Sequence, residues 1–292
     1  MTLSRNAQGA LWMIASGAVF SLLNATVKHL GQSLDPFVIG FFRCLFSLVI
    51  VLPFALRAGP RALRTERPLT HLARGLAGVT GVFCGMYAIV HLPLADAISI
   101  SFAKPLFAVL LAAFFLAERV GADRWLATIA GFAGVLIVVR PGSIDFQIAH
   151  VVALVGAFAV ADGIVLVKKL QGTERTATIM VYFGAVTSLL SFGPALWVWT
   201  TPTAVELALL AAMAGAATLG QYCGLRAFQA ADASAVVPYD YLRLIFAIAI
   251  GFAVFAEIPD GWTLLGSAVL IASTLYIAYR EIALGRKPSL GG

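Results

Sequence analysis

The sequence predicts an all-α integral membrane protein of ten transmembrane helices, arranged as two inverted repeats of five. Hydropathy, run length and an internal repeat lead to that prediction. Of 292 residues, 61% are hydrophobic and only 12% charged, with a mean hydropathy of +0.94, which excludes an ordinary soluble domain. Most apolar stretches reach the roughly 20 residues that carry a helix across ~30 Å of hydrocarbon. They are apolar on every side, whereas strands of a membrane barrel would be about 10 residues long with strict alternation.

The first span, Gln8–Val27, has only Arg5 as an early charge. With no basic segment leading into a small-residue cleavage site, it reads as a retained span rather than a signal peptide. Spans two to four follow at Pro36–Leu56, Leu72–Val90 and Ala97–Ala117. Gly81 and Gly85 form a GxxxG in span three, extended by Gly75 and Gly78, a pattern of close helix packing. Span five, Trp125–Val139, is short and borrows neighbours such as Ala122 or Pro141. The remaining spans are Ile148–Val167, Ala177–Val198, Leu207–Leu225, Ser234–Ala256 and Trp262–Tyr279, joined by connections too short for a soluble domain.

Ala95-Asp96-Ala97 recurs as Ala231-Asp232-Ala233, Val27-Lys28 as Val167-Lys168, and Pro36-Phe37 as Ala177-Thr178, at offsets of 136, 140 and 141 residues. The repeats are placed at 1–142 and 147–282. An odd number of spans per copy puts the second copy through the membrane upside down, a hallmark of secondary transporters.

The net charge of +6 follows topology rather than nucleic acid. With the amino terminus inside, fifteen basic residues fall on cytoplasmic segments and only Lys28 and Arg140 outside. Both termini are therefore expected in the cytoplasm, in a bacterial inner membrane. The basic run from Arg57 to Arg74 sets topology and meets lipid headgroups. Cys44, Cys84 and Cys223 are isolated, with no disulfide framework. His29, His71, His91 and His150 sit near span ends without metal-binding spacing, so no metal or other cofactor is expected.

Five charges lie within spans: Arg43, Lys104, Asp162, Asp240 and Arg243. A charge at bilayer depth costs roughly 2.5–3.5 kcal/mol on insertion scales, so such groups face a wet cavity or one another. The repeat sets Lys104 against Asp240, and each has a proline nearby, Pro105 and Pro238. Proline removes a helical hydrogen bond, and interrupted helices at matching places in two repeats point to a midplane site; Pro105 and Pro238 are the expected hinges. Asp240 and Arg243 share a helix face, with Tyr239 and Tyr241 beside them. Tyr87, Gln221 and Tyr222 complete the candidate substrate-binding set of Tyr87, Lys104, Asp162, Gln221, Tyr222, Tyr239, Asp240, Tyr241 and Arg243. Trp12 reads as an interfacial anchor, and Asn24 as an interhelical hydrogen-bonding group. Glu118 and Glu257, after spans four and nine, read as favourable charges for the next helix dipoles. If all five charges share one space, its surplus of +1 suits a carboxylate or phosphate.

The chain resembles the ten-helix, EamA-type carriers of the drug/metabolite transporter superfamily. The resemblance rests on Arg43, Leu92-Pro93-Leu94-Ala95-Asp96-Ala97, Lys104-Pro105-Leu106-Phe107, Leu116-Ala117-Glu118-Arg119, Gly131-Phe132-Ala133-Gly134-Val135 with Arg140-Pro141-Gly142, and Ala231-Asp232-Ala233 and Ala256-Glu257 with Gly266. It implies a central cavity bounded by spans one, three, four, six, eight and nine, and secondary transport of a small molecule by a chain able to work as a monomer in the lipid bilayer.

The expectation is therefore an alternating-access carrier, foremost an exporter of aromatic or neutral amino acids as in the YddG-type relatives. The alternative, which the first-half motif also resembles, is a carrier for S-adenosylmethionine or a similar nucleoside-like metabolite. An intramembrane enzyme is disfavoured because no GxGD, HExxH or paired carboxylates occur within a span, and no phosphate-binding loop supports an ATP-driven pump.

Overall fold

The computed structural model describes residues 5–57, 64–115, 122–171, 173–174, 176–231 and 233–283. These form twelve helices: α1 (Arg5–Leu30), α2 (Pro36–Arg57), α3 (Pro68–His91), α4 (Leu94–Ser101), α5 (Lys104–Phe115), α6 (Ala122–Val139), α7 (Ile148–Gln171), α8 (Thr176–Trp197), α9 (Ala204–Ala230), α10 (Ala233–Asp240), α11 (Leu242–Phe255) and α12 (Gly261–Ala283). Nine described segments are long and apolar enough to cross a membrane, and Trp125–Val139 is a shorter tenth. Span five indeed extends back to Ala122.

Twelve helices make ten spans because spans four and nine are each broken. In span four the amides of Phe102 and Ala103 turn back to Ser99 and Ile100 in tight three-residue bonds. Lys104 then starts α5, and Pro105, lacking an N–H, leaves the Ser101 carbonyl without its helical partner. In span nine the break falls at Tyr241, whose carbonyl accepts the Leu244 amide. That is three residues past Pro238, which lies inside α10. Ser21 of α1 donates to the Arg243 carbonyl at 3.3 Å, a long-range contact on the first turn of α11.

The main helix pairings are related by exchange of the two halves. Span one lies along span eight, and span six along span three; spans two and seven, four and nine, and five and ten pair with each other. Spans five and ten approach backbone to backbone: a Cβ on Gly134 would stand 2.8 Å from the Gly266 carbonyl, and one on Gly266 2.6 Å from that of Gly134. Glycine is needed there for lack of space. In span three, Gly75 and Gly78 receive Val186 and Phe183 of span seven and Gly81 receives Val160 of span six, while Gly85 has open space.

Polar groups collect at the two ends. At the end carrying Thr65 to Arg74, Glu174 accepts from Thr65 Oγ1 at 2.6 Å and from the Glu66 amide at 3.0 Å. Arg67 and Arg74 donate to the carbonyls of Lys169 and Ile179, both at 3.3 Å. These two arginines thus tie connections together, beyond the topological role expected of them. Glu174 is held below the ordinary carboxylate range chiefly by the Thr65 hydrogen bond. The end carrying Lys28 and Arg140 is built differently. Arg140 pairs with Asp260 and, at 3.7 Å, with Asp145. Asp96 accepts from Thr263 at 2.8 Å, with His150 at 4.0 Å.

Candidate substrate site

The two helix breaks meet. Phe102, in the span-four break, packs edge to face on Tyr241, in the span-nine break, with ring centroids 4.9 Å apart. The Tyr241 hydroxyl donates to Thr274 of α12 at 2.5 Å, so its polar end is anchored while one ring face stays with Phe102 in the apolar core. Interrupted helices leave backbone carbonyls unpaired where they converge, the usual construction of a site inside a carrier.

Four of the five intramembrane charges gather here. Arg243 donates to Asp240 at 2.6 Å, and Lys104, first residue of α5, interacts electrostatically with Arg243, Asp240 and Arg43. No hydrogen-bond or ion-pair partner holds Lys104 Nζ among the described residues. Arg243 keeps a buried Nε without an acceptor, and its guanidinium lies 4.9 Å from the Phe20 ring, worth about 0.5–2 kcal/mol when desolvated. Gly17 and Ser21 of α1 line the backbone at Arg243. The result is an Asp240–Arg243 pair in electrostatic range of Lys104, which Arg43 also influences, with an unused donor on Arg243.

The other candidates lie around this centre or apart from it. Asp162 interacts with Lys169, toward the opposite end of α7, so the five charges do not form one set and the surplus at the cluster is larger than +1. Tyr87 stacks on His91 at 3.9 Å and its carbonyl contacts the imidazole Nδ1 at 2.8 Å. Tyr222 meets Trp12 edge to face at 6.1 Å, and Arg226 lies 5.7 Å over the same indole. Trp12 is half-buried against Tyr222 and Arg226, two exposed residues of α9. Gln221 and Tyr239 are exposed. Glu257 does not serve the next helix dipole: it pairs with Lys28 and accepts the Leu94 amide at 2.8 Å. Glu118 and Asp232 lie outside the described residues.

Sequence reasoning missed Phe102, Phe20, Ser21 and Thr274. Phenylalanine in an apolar run carries no signal, and the two hydroxyls become legible only once α1 and α12 are docked on α11. No described group of His, Cys, Asp and Glu has the geometry of a metal site.

Comparison with known proteins agrees with this construction. The EamA-like transporter family matches residues 7–140. An S-adenosylmethionine uptake transporter of Rickettsia prowazekii (strain Madrid E) is 34% identical over 275 residues, covering 94% of this chain and 93% of its own. A riboflavin transporter of Rhizobium johnstonii is also 34% identical, over 289 residues covering 98% and 96%. A solved crystal structure aligns with a TM-score of 0.62 over 97% of this chain and 99% of its own at 20% identity, which establishes the fold alone. Neither relative is named for an amino acid, so the expected amino-acid export gains no support from them. With a full-length match to carriers and a helix arrangement to suit, the chain is a multi-pass membrane transporter, not an enzyme, and belongs to the EamA-like transporter family.

Proposed function

We propose that this carrier moves a nucleoside-like metabolite that joins a planar heteroaromatic ring to a charged tail, with S-adenosylmethionine as the leading substrate. The observation that carries the reading is the cluster of Lys104, Asp240 and Arg243 beside the aromatic pair Phe102–Tyr241. A substrate carboxylate suits the free donors of Lys104 and Arg243. A sulfonium or ammonium suits Asp240 and the tyrosine faces, and an adenine ring suits the aromatic side chains. Relatives named for S-adenosylmethionine and for riboflavin have a planar nitrogen heterocycle in common as cargo. This supports the alternative drawn from sequence over amino-acid export.

In this reading Lys104, Asp240, Tyr241 and Arg243 contact the charged end, and Tyr87, Asp162, Gln221, Tyr222 and Tyr239 line the path. Pro105 and Pro238 set the hinges, and the breaks at 102–103 and 241 are where half-helices swing. The halves are 1–142 and 147–282, with both termini in the cytoplasm of a bacterial cell and the Lys28–Arg140 end facing outward.

Proteoliposomes given radiolabelled S-adenosylmethionine, riboflavin and an aromatic and neutral amino-acid panel, with and without a pH gradient, test the reading. Saturable S-adenosylmethionine flux that unlabelled S-adenosylmethionine competes away is the expected result. Flux of amino acids alone would overturn it.

A further inference from the structure

Lys28 ends span one, yet its ammonium is turned into the protein. It pairs with the Glu257 carboxylate and donates to the Leu92 carbonyl at 2.6 Å. The other Glu257 oxygen accepts the Leu94 amide at 2.8 Å, filling an orphan donor in the first turn of α4. One ion pair thus fastens the end of α1, the start of α4 and the end of α11. Both partners are largely covered, with 11% and 20% of their side chains exposed. The Phe255 ring lies 5.6 Å beneath the ammonium.

The backbone is bent to make this contact. Ala256 has φ +54°, a left-handed conformation unfavourable for a residue with a Cβ. It closes α11 by sending the Glu257 amide back to the Gly251 carbonyl at 2.9 Å. Strain of this kind persists where neighbouring contacts over-determine it, and it clusters at switch regions.

The neighbouring pair Arg140–Asp260 makes a useful contrast. It joins spans five and ten, which are already locked at Gly134 and Gly266. Lys28–Glu257 instead ties together α4 and α11, the half-helices on one side of the two breaks. Lys28 bridges the Leu92 carbonyl before α4 and Glu257 after α11, and Glu257 bridges Lys28 and the Leu94 amide, so parting α4 from α11 must break contacts on at least one side of this pair.

We propose that Lys28–Glu257 is the gate latch of the transport cycle at the Lys28–Arg140 mouth: closed in this conformation and broken once per turnover. It works at a distance from the cargo, so Lys28 and Glu257 are gating residues, not substrate contacts.

The test begins with Lys28→Cys/Glu257→Cys in a background with Cys44, Cys84 and Cys223 replaced by serine. A bifunctional methanethiosulfonate long enough to span a lysine–glutamate pair should bridge the two cysteines, seen by a reductant-sensitive mobility shift, and should stop flux. Reductant should restore flux. Undiminished flux through the cross-linked protein, or a folded protein that never cross-links, overturns the latch. A second readout needs no substrate and so separates this idea from the substrate assignment. Ser101→Cys, beside the span-four break, is labelled with a membrane-impermeant maleimide applied to either face. Glu257→Gln should speed labelling several-fold from the face carrying Lys28, and Lys28→Glu/Glu257→Lys should slow it again. An unchanged rate, or a rise from the opposite face only, overturns the proposal.

Discussion

Phe102 and Tyr241, each standing where a membrane-spanning helix is interrupted, touch edge to face at 4.9 Å. The contact links the two halves at their least regular points, so a movement of one break is felt by the other. An aromatic pair is worth about 0.5–1.5 kcal/mol beyond its buried area. Tyr241→Phe keeps the ring and loses only the bond to Thr274, worth about 0.6–2 kcal/mol within a membrane bundle. Its melting temperature in detergent should fall slightly with transport retained. Tyr241→Ala should lose most transport at unchanged membrane insertion, measured as flux per folded carrier.

Lys104 should discriminate by charge. Lys104→Gln removes a donor that no described residue hydrogen-bonds, so folding should survive. The KM for S-adenosylmethionine should rise about tenfold or more, corresponding to one charged hydrogen bond of about 1.5–3 kcal/mol. Competition by riboflavin, which has no carboxylate, should change little. Equal losses for both ligands would remove Lys104 from carboxylate recognition.

The Asp240–Arg243 pair should behave as a unit. Asp240 is 34% exposed and Arg243 18%, so solvent screening reduces the coupling to about 1 kcal/mol. Asp240→Asn leaves Lys104 and Arg243 without the nearby carboxylate and should destabilise more than Asp240→Asn/Arg243→Gln does. A double-mutant cycle of melting temperatures reads the coupling, and purely additive losses would mean the pair is incidental.

Glu174 gives a pH signature. Its carboxyl is held below the usual range, first by the Thr65 hydrogen bond and also by the Glu66 amide. A depressed folded value contributes stability above the unfolded value of about 4.3, and that stability is lost as pH falls through the folded value. Wild type should therefore outlast Glu174→Gln near neutral pH, with the gap closing under acid. Thermal unfolding from pH 7 down to about 3.5 measures it.

The sequence repeat extends the latch to the other end. Lys28 answers to Lys168 and Glu257 to Glu118, whose side chains lie outside those the structure describes. If these act as the counterpart pair, Glu118→Gln should speed maleimide labelling of Ser101→Cys from the face opposite to the one carrying Lys28, the reverse of Glu257→Gln. Identical sidedness for the two variants would rule out a paired latch.

Run length and composition made the ten spans legible, because a helix that must satisfy its own backbone in lipid has a fixed minimum length. The cluster of Lys104, Asp240 and Arg243 was legible for a similar reason: charges within spans are costly and must converge. Asp162 shows the limit of that argument, since a charge in the middle of α7 interacts with Lys169 nearer the end of the same helix. The break at Tyr241 stands three residues past Pro238, close to where Ser21 of another helix meets the Arg243 carbonyl, a long-range contact with no local trace. Lys28 and Glu257 were visible only as end charges. Their pairing depends on a left-handed turn at Ala256 that nothing in an alanine announces.

The largest packing contacts between spans have counterparts when the halves are exchanged, so a state with the roles of the halves swapped would draw on much of the same inventory of contacts. A two-state equilibrium with a small gap is moved by modest differences in binding. Cargo that binds one state slightly better is then enough to change which mouth of the bundle is open.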